Sequence, residues 1–252
     1  MGKPINRVYL LIFVLFLISA CALPITKSVS PQATAELTNT PPKPPANDLF
    51  PFKSLGCQWL SETNAICPED SIPHKMGCDT LSRPSELVNL LSPDSQFVNC
   101  SYTTNNRLTN EEPEPRGLYK IGCISPGVQR LLTYHQGDYL LIRDLEELQT
   151  HFTPVNSAEK ALGYVIVATG FNPIYHFDEM QDYRIFVDAL QSTSIQPVDD
   201  GFVINLFSKQ ICGCGPHTTF MEEVKVTFDG EIQKLNQTPV FEDPAEDGLC
   251  VD

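Results

Sequence analysis

Short runs of alternating apolar and polar residues, separated by turn-forming residues, dominate the middle of the chain. Residues 118–123, 129–134 and 139–143 carry this period-two pattern, which is typical of half-buried strands. Between the last two runs lies His-Gln-Gly-Asp at 135–138, a sequence that favours a tight turn. We therefore predict three strands, of which the second and third form a hairpin.

Two helices are predicted after these strands. A short one begins after Asp144, a good capping residue, because apolar residues recur at helical spacing up to Phe152. A longer one follows, with Asn156 and Glu159 in a capping-box arrangement and Gly170 at the position of a C-terminal cap. Its apolar residues cover nearly all sides, which predicts a largely buried helix; they are Ala158, Ala161, Leu162, Tyr164, Val165, Ile166, Val167 and Ala168.

The last third of the chain has the pattern of an antiparallel sheet. Four strands are predicted, at 193–198, 202–208, 220–228 and 231–235. In the third of these, Val224, Val226 and Phe228 alternate with Glu223, Lys225 and Thr227, which predicts one buried face. Asp-Gly sequences supply the turns between paired strands. A helix followed by meandering strands predicts an α+β fold, with the helix packed on one face of a mainly antiparallel, twisted sheet.

The region before this pattern is rich in cysteine and poor in long periodic segments. Between residues 49 and 123 we predict one short helix, at 84–91, surrounded by loops. We therefore expect a disulfide-stapled N-terminal region, held more by cross-links than by a hydrophobic core. The globular domain is predicted to span 49–252, with a Cys-rich part up to about 123 and the helix-plus-sheet part from about 124.

Residues 21–48 have the composition of a linker. Five prolines lie between residues 31 and 45 among Ser, Thr and Ala, and few side chains in this stretch are apolar. Such a segment cannot offset its ordering entropy by burying apolar surface. We expect an extended Pro/Thr-rich tether in front of the domain, whose residues contribute little to stability.

The first twenty residues have the pattern of an export signal. Lys3 and Arg7 precede an apolar run at 8–20, which is the length of a signal-peptide core and short for a membrane span. The run ends in Ile18-Ser19-Ala20-Cys21, which resembles the bacterial lipobox. The resemblance implies that the signal is removed, that Cys21 carries lipid including palmitate, and that the protein is lipid-anchored in the bacterial cell envelope, facing outside the cytoplasm. The alternative is an ordinary signal peptide cut at a small residue.

The charge of the chain restricts its partners. The formal net charge is −14, and removal of residues 1–20, which hold two basic and no acidic residues, makes it −16. A surface this acidic argues against nucleic acid, which needs a basic footprint. The expected partners are the membrane, through the lipid, and an envelope protein or a small ligand.

Eight cysteines follow Cys21, an even number that predicts four disulfides in an oxidising compartment. They are Cys57, Cys67, Cys78, Cys100, Cys123, Cys212, Cys214 and Cys250. The sequence leaves their pairing open, since eight cysteines allow 105 connectivities. In Cys212-Gly213-Cys214 a direct bond between the two neighbours is strained, so we expect two separate bridges, one of them to Cys250.

The same turn continues to His217 and offers a different chemistry. Cys212, Cys214 and His217 could supply three ligands, two thiolates and an imidazole, to Zn²⁺ or a copper ion, and the cysteine pair also suits a redox dithiol. If both cysteines are bridged instead, His217 is expected to be a bystander.

No motif predicts a catalytic site or a cofactor. Ser157 and Lys160 match Ser-x-x-Lys, but the companion motifs of penicillin-binding enzymes are missing, so the start of a helix explains them better. The remaining histidines are scattered, and His176-Phe177-Asp178-Glu179 is predicted to be an exposed loop. The sequence thus favours a non-enzymatic, lipid-anchored binding or structural module. The alternative is a metal-handling or redox lipoprotein acting through Cys212, Cys214 and His217.

Overall fold

The computed structural model describes residues 40–103, 115–124, 126–178, 180 and 182–251. The predicted signal at 1–20, Cys21 and the linker up to residue 39 therefore lie outside the described residues. Within the described residues, no helix is long and apolar enough to cross a membrane.

The first half of the chain forms a seven-stranded antiparallel sheet. Its strands are β1 (Gln58–Trp59), β2 (Asn64–Ile66), β3 (Thr80–Ser82), β4 (Gln96–Thr103), β5 (Tyr119–Ile121), β6 (Gly127–His135) and β7 (Asp138–Ile142). Strands β1 to β4 pair in sequence, β4 pairs with β6, and β5 and β7 share the other edge of β6. Helix α1 (Phe50–Lys53) precedes β1, and helix α2 (Ile72–Met76) and a 3₁₀ helix (Glu86–Leu90) lie between the strands in the chain.

The predicted hairpin is β6–β7. Its two turn residues, Gln136 and Gly137, have φ angles of 51° and 101°. Positive φ at both positions is the requirement of the type I′ turn, one of the tight two-residue turns that match the twist of paired strands. His135 and Asp138 consequently face each other as the last cross-strand pair before the turn.

The second half forms a five-stranded antiparallel sheet in the order β8-β13-β12-β10-β9. The strands are β8 (Arg184–Ile185), β9 (Ser194–Val198), β10 (Gly201–Lys209), β12 (Thr219–Thr227) and β13 (Ile232–Glu242). Two short strands, β11 (Gly213–Cys214) and β14 (Cys250–Val251), form a separate pair. A 3₁₀ helix, Pro244–Glu246, precedes β14. The four strands predicted in this part are present as β9, β10, β12 and β13, and β8, β11 and β14 are additions.

Both predicted helices are present: α3 (Leu145–Phe152) and α4 (Ala158–Thr169). Asp144 caps α3 by accepting a hydrogen bond from the Glu147 backbone N–H. The cap of α4 is Ser157, one residue later than predicted, and its hydroxyl accepts from the Lys160 N–H at 3.2 Å. Gly170 ends α4 with φ 71°, the left-handed conformation expected of a C-terminal glycine.

Helix α4 lies at the centre of the larger hydrophobic core. Its residues pack with apolar side chains of the second sheet, such as Ile204 and Val226, and of the first half, such as Leu91 and Phe97. Gly163 is needed for this packing, because a Cβ there would lie 2.8 Å from the Leu91 nitrogen. The structure therefore confirms that the helix is buried, and it is covered from both halves of the chain.

The expectation for the Cys-rich region was wrong in one respect. Residues 49–123 contain strands and a second hydrophobic core, which includes Phe52, Leu81 and Val98. Nor are the disulfides confined to it: Cys57–Cys67 and Cys78–Cys100 lie within it, Cys123–Cys212 joins the two halves, and Cys214–Cys250 lies in the second. The fold is thus a mixed α and β structure with antiparallel sheets and four disulfides.

The last residues of the predicted tether contact the domain. The Asn47 side chain donates to the Phe97 carbonyl at 2.8 Å and accepts from the Phe97 N–H at 3.0 Å. The Asn89 side chain donates to the Pro45 carbonyl at 2.9 Å. Because β3 pairs only with residues 99–101 of β4, Asn47 occupies the edge of β4 beyond β3. Residues 45–48 are therefore part of the folded domain. Their composition did not predict these contacts.

Candidate functional site

The Cys-Gly-Cys turn holds two disulfides that lead to different parts of the chain. Cys212 is bonded to Cys123 and Cys214 to Cys250, as the expectation of two separate bridges required. The Cα atoms of Cys214 and Cys250 are 3.9 Å apart, because the two residues are directly opposed in β11 and β14. Neither sulfur of the turn is a thiol in this structure.

His217 is not a bystander. It is 3% exposed, its Nε2 lies 3.2 Å from the Gly213 carbonyl oxygen, and its Nδ1 lies 3.3 Å from a carboxylate oxygen of Glu246. The imidazole therefore connects the turn to the 3₁₀ helix near the C-terminus. Among the residues that the structure describes, no group of three His, Cys, Asp or Glu side chains is arranged to hold a metal ion.

Ion pairs attach the same C-terminal segment to the second sheet. Arg184 binds Asp247 through two hydrogen bonds, and Lys209 donates to Glu246 at 2.6 Å. The hydrogen bond from Arg184 lowers the pKa of the Asp247 carboxyl below its usual value. Exposed pairs of this kind contribute little individually. Together with the Cys214–Cys250 disulfide they explain how a segment with few apolar residues stays in place.

The scattered histidines have different surroundings. His74 shares a hydrogen bond with the Cys67 carbonyl at 3.0 Å, and His176 is exposed in the segment after α4. Glu179, the last residue of the predicted exposed cluster, lies outside the described residues. In contrast, His135 and His151 line one cleft together with Lys160. The sequence places these three residues far apart, and the fold brings them together.

This cleft has a volume of about 390 Å³ and opens beside the β6–β7 turn. It is lined by Leu91, Ser92, Ser95, Thr133, His135, Asp138, Leu140, His151, Phe152 and Lys160. The β6–β7 hairpin supplies one wall, and the last turn of α3 and the first turn of α4 supply another. The segment between the 3₁₀ helix and β4 closes it with two serines. We call this site the hairpin cleft.

Three hydroxyl groups line the hairpin cleft. The Ser92 and Ser95 hydroxyls are 2.9 Å apart, and the Ser95 Oγ lies 3.3 Å from His135 Nδ1. Thr133 is 4% exposed, and its buried hydroxyl oxygen has no hydrogen-bond partner among the residues that the structure describes. A buried hydroxyl without a partner costs about 1–3 kcal/mol.

Lys160 is the cation of the hairpin cleft. It is partly buried, and within the described part of the chain no carboxylate forms an ion pair with its ammonium group. Burial lowers the pKa of this ammonium below its usual value, because the charged form loses hydration. Ser157, the other half of the Ser-x-x-Lys match, bonds to the Lys160 backbone as a helix cap. The motif is therefore the start of a helix, and the lysine head group is available to the cleft.

The geometry of the hairpin cleft suits binding better than nucleophilic catalysis. Ser95 and His135 are within hydrogen-bond distance, but Ser95 is only 5% exposed and its hydroxyl is shared with Ser92. Among the hydrogen bonds of the described residues, no carboxylate orients the other nitrogen of His135, as a catalytic triad requires. Leu91, Leu140 and Phe152 add an apolar surface to the polar groups. Concave sites of this size with a few polar groups are typical of small-ligand binding.

A larger groove, of about 480 Å³, lies on the second sheet and has weaker chemistry. Ser194, Gln196, Asn205 and Glu223 contribute to it from alternating strand positions. Among the described residues that line it there is no lysine, arginine or histidine and no buried side-chain N or O atom without a partner. This groove has the character of a solvated sheet face.

Searches against protein-family models, curated proteins and solved structures found no match. Inferences about function therefore depend on the chemistry of the site.

Proposed function

We propose that this protein is a lipid-anchored envelope protein whose extracytoplasmic domain binds a small ligand in the hairpin cleft. The observation that carries the binding proposal is the lining of this cleft, in which Lys160, a lysine with no carboxylate partner among the described residues, shares a concave site with the apolar side chains of Leu91, Leu140 and Phe152. A concave site that combines an apolar wall with a few polar groups is typical of small-ligand binding.

The disulfides support an extracytoplasmic location. Four disulfides are typical of proteins that fold in an oxidising compartment, so the domain belongs outside the cytoplasm. The Ile18-Ser19-Ala20-Cys21 sequence supports attachment through lipid at Cys21. Two or three acyl chains give stable anchoring, since each buried CH₂ contributes about 0.8 kcal/mol.

The larger hydrophobic core gives the hairpin cleft a rigid frame. Phe97, which lies opposite Thr133 across β4 and β6, is fully buried in the larger core. Phe152, at the end of α3, packs against the Phe97 ring with centroids 6.1 Å apart. A preformed cleft loses less entropy on binding than a flexible surface, which favours recognition of a small ligand.

Nuclear magnetic resonance with a library of small fragments tests the binding proposal. We expect at least one fragment to shift the backbone amide signals of Thr133, His135 and Lys160 together, because they line the same cleft. Leu140→Asp, which puts a carboxylate into the apolar wall, is expected to abolish these shifts. Leu145→Asp, an exposed leucine outside the cleft, is the matched control. A screen whose hits all lie elsewhere on the domain would contradict the proposal.

A further inference from the structure

The disulfides differ in how far solvent reaches them. Among the disulfides of the described residues, Cys214–Cys250 alone has both residues exposed. In each of the others at least one residue is half-buried or buried; these are Cys57–Cys67, Cys78–Cys100 and Cys123–Cys212. Reduction requires a thiolate to reach a sulfur atom, so exposed disulfides are the labile ones. Cys214–Cys250 is therefore the bond most open to a reductant.

Exposed aliphatic side chains gather at the turn that carries this bond. Ile211 and Leu249 each directly precede a cysteine of the turn's two disulfides, and each is 48% exposed. Ile124, which is 69% exposed, directly follows the cysteine bonded to Cys212. The Gly215 N–H donates to the Leu249 carbonyl at 2.8 Å, which keeps that leucine beside the turn. Clustered apolar side chains on a surface are typical of contacts with another protein.

The Cys214–Cys250 bond holds a segment whose other side-chain attachments are mainly ionic. This C-terminal segment comprises residues 243–251. Glu246 accepts a hydrogen bond from Lys209 at 2.6 Å, and Asp247 binds Arg184. Partly exposed ion pairs of this kind weaken as the ionic strength rises. The disulfide is thus the attachment of this segment that salt does not weaken.

The C-terminal segment also lies against a buried histidine. The Nδ1 of His217 is 3.3 Å from a carboxylate oxygen of Glu246, and the residue is 3% exposed. The backbones are in close contact nearby, since a Cβ at Gly215 would lie 2.0 Å from the Glu246 carbonyl oxygen. Departure of the segment would therefore expose the His217 imidazole to solvent.

We propose that Cys214–Cys250 is a redox-active disulfide, which a partner protein carrying a dithiol reduces after docking on Ile124, Ile211 and Leu249. One thiolate of the partner attacks a sulfur of the bond and forms a mixed disulfide, which the second thiol of the partner then breaks. The partner is oxidised to a disulfide, and its two electrons and two protons leave Cys214 and Cys250 as thiols.

Reduction releases the C-terminal segment and uncovers His217. A protein is the reductant that fits this site, because the apolar side chains around the bond give it a surface to bind and a small thiol needs none. The site is separate from the hairpin cleft, so the inference does not depend on the small-ligand proposal.

The order in which the disulfides are reduced tests the site. The full chain in nanodiscs of zwitterionic lipid, without denaturant, is treated with reduced thioredoxin as a protein dithiol or with dithiothreitol as a small one. Free thiols are blocked with N-ethylmaleimide and located by mass spectrometry after digestion. We expect Cys214–Cys250 to be labelled first, and Cys78–Cys100 on the order of a thousandfold more slowly, because a buried pair reacts only on unfolding. Labelling of any other pair before Cys214–Cys250 would overturn the inference.

A double variant tests the docking surface. Ile211→Ser with Leu249→Ser is expected to slow reduction by thioredoxin roughly tenfold and to leave the rate with dithiothreitol unchanged. Ile72→Ser, at an isoleucine that is 51% exposed in the first half of the chain, is the matched control and should change neither rate. Docking on these residues is contradicted if thioredoxin reduces the double variant as fast as the wild type, or if both reagents are slowed equally.

Modification of His217 by diethyl pyrocarbonate tests the release. In the oxidised chain His217 should stay protected at both about 0.05 M and about 0.5 M salt. In the reduced chain we expect modification that increases with salt, because only ionic and backbone contacts then hold the segment. Cys214→Ser with Cys250→Ser should behave like the reduced chain without any reductant. Protection of His217 in the reduced chain at the higher salt concentration would show that the segment stays in place, and would overturn the release.

Discussion

Replacing Leu162 with alanine is expected to lower the free energy of unfolding by about 2–5 kcal/mol. The Leu162 side chain is fully buried in the middle of α4, within the core shared by both halves of the chain. Its truncation removes apolar burial and leaves a cavity that the rigid surroundings fill only partly. At about 2–4 °C per kcal/mol for a domain of this size, the melting temperature should fall by roughly 4–20 °C.

Leu145→Ala is the matched control for this substitution. Leu145 is 45% exposed on α3, so the same truncation should cost much less there. Thermal unfolding followed by circular dichroism measures both variants. An effect of Leu162→Ala as small as that of the control would show that α4 is not the centre of the core.

Removing the Cys78–Cys100 disulfide is expected to cost more than removing Cys214–Cys250. The first pair is fully buried, and its loss as Cys78→Ala with Cys100→Ala should lower the free energy of unfolding by about 3–5 kcal/mol. The second pair is exposed, so its loss removes the cross-link without leaving a cavity, at a cost of about 2–4 kcal/mol.

If loop length alone set the stability that a disulfide contributes, removing Cys214–Cys250 would cost more than removing Cys78–Cys100. The cross-link at Cys78–Cys100 spans 22 residues and that at Cys214–Cys250 spans 36, and the entropic contribution grows slowly with loop length. Urea unfolding of the two double variants without reductant therefore distinguishes the mechanisms. A larger loss from the exposed pair would mean that restriction of the unfolded chain outweighs burial in this domain.

Regular periodicity made the β6–β7 hairpin and the second half of the fold predictable from sequence. The two helices and the β6–β7 hairpin are present because their apolar spacing, caps and turn residues all favour the same structure. The residue that caps α4 was harder to predict. Asn156 and Ser157 are both good caps, and the backbone geometry selects Ser157. The exact residue at which a helix begins depends on which of several neighbouring capping residues has the required backbone geometry.

The alternation of apolar and polar residues does not predict the burial of every residue, because tertiary contacts also determine which side chains are buried. Phe228, predicted on the buried face, is 42% exposed because β12 ends at Thr227. Glu222 is 1% exposed on the face of β12 that carries Val224, where Ser208 and Gln237 donate hydrogen bonds to its carboxylate. These partners come from neighbouring strands. The alternation of apolar and polar residues within β12 therefore does not predict these hydrogen bonds.

The same limit explains why the sequence did not indicate the hairpin cleft. Its basic residues come from β6, α3 and α4, and no two of them are at the spacing of a recognisable motif. The sequence drew attention instead to Cys212, Cys214 and His217, which are adjacent in the chain. In the structure Cys214 and His217 hold the C-terminal segment in place, and Cys212 joins the turn to Cys123.

The proposal that this domain works in the envelope, attached by lipid, depends on Cys21. The most direct test is metabolic labelling of bacterial cells that express the full chain with a clickable fatty acid, followed by detection of the label on the purified protein. We predict that the wild-type chain is labelled, that Ala22→Ser next to the site is labelled equally, and that Cys21→Ser is unlabelled and keeps its signal peptide. Equal labelling of the wild type and Cys21→Ser, or no label on either, would contradict the account.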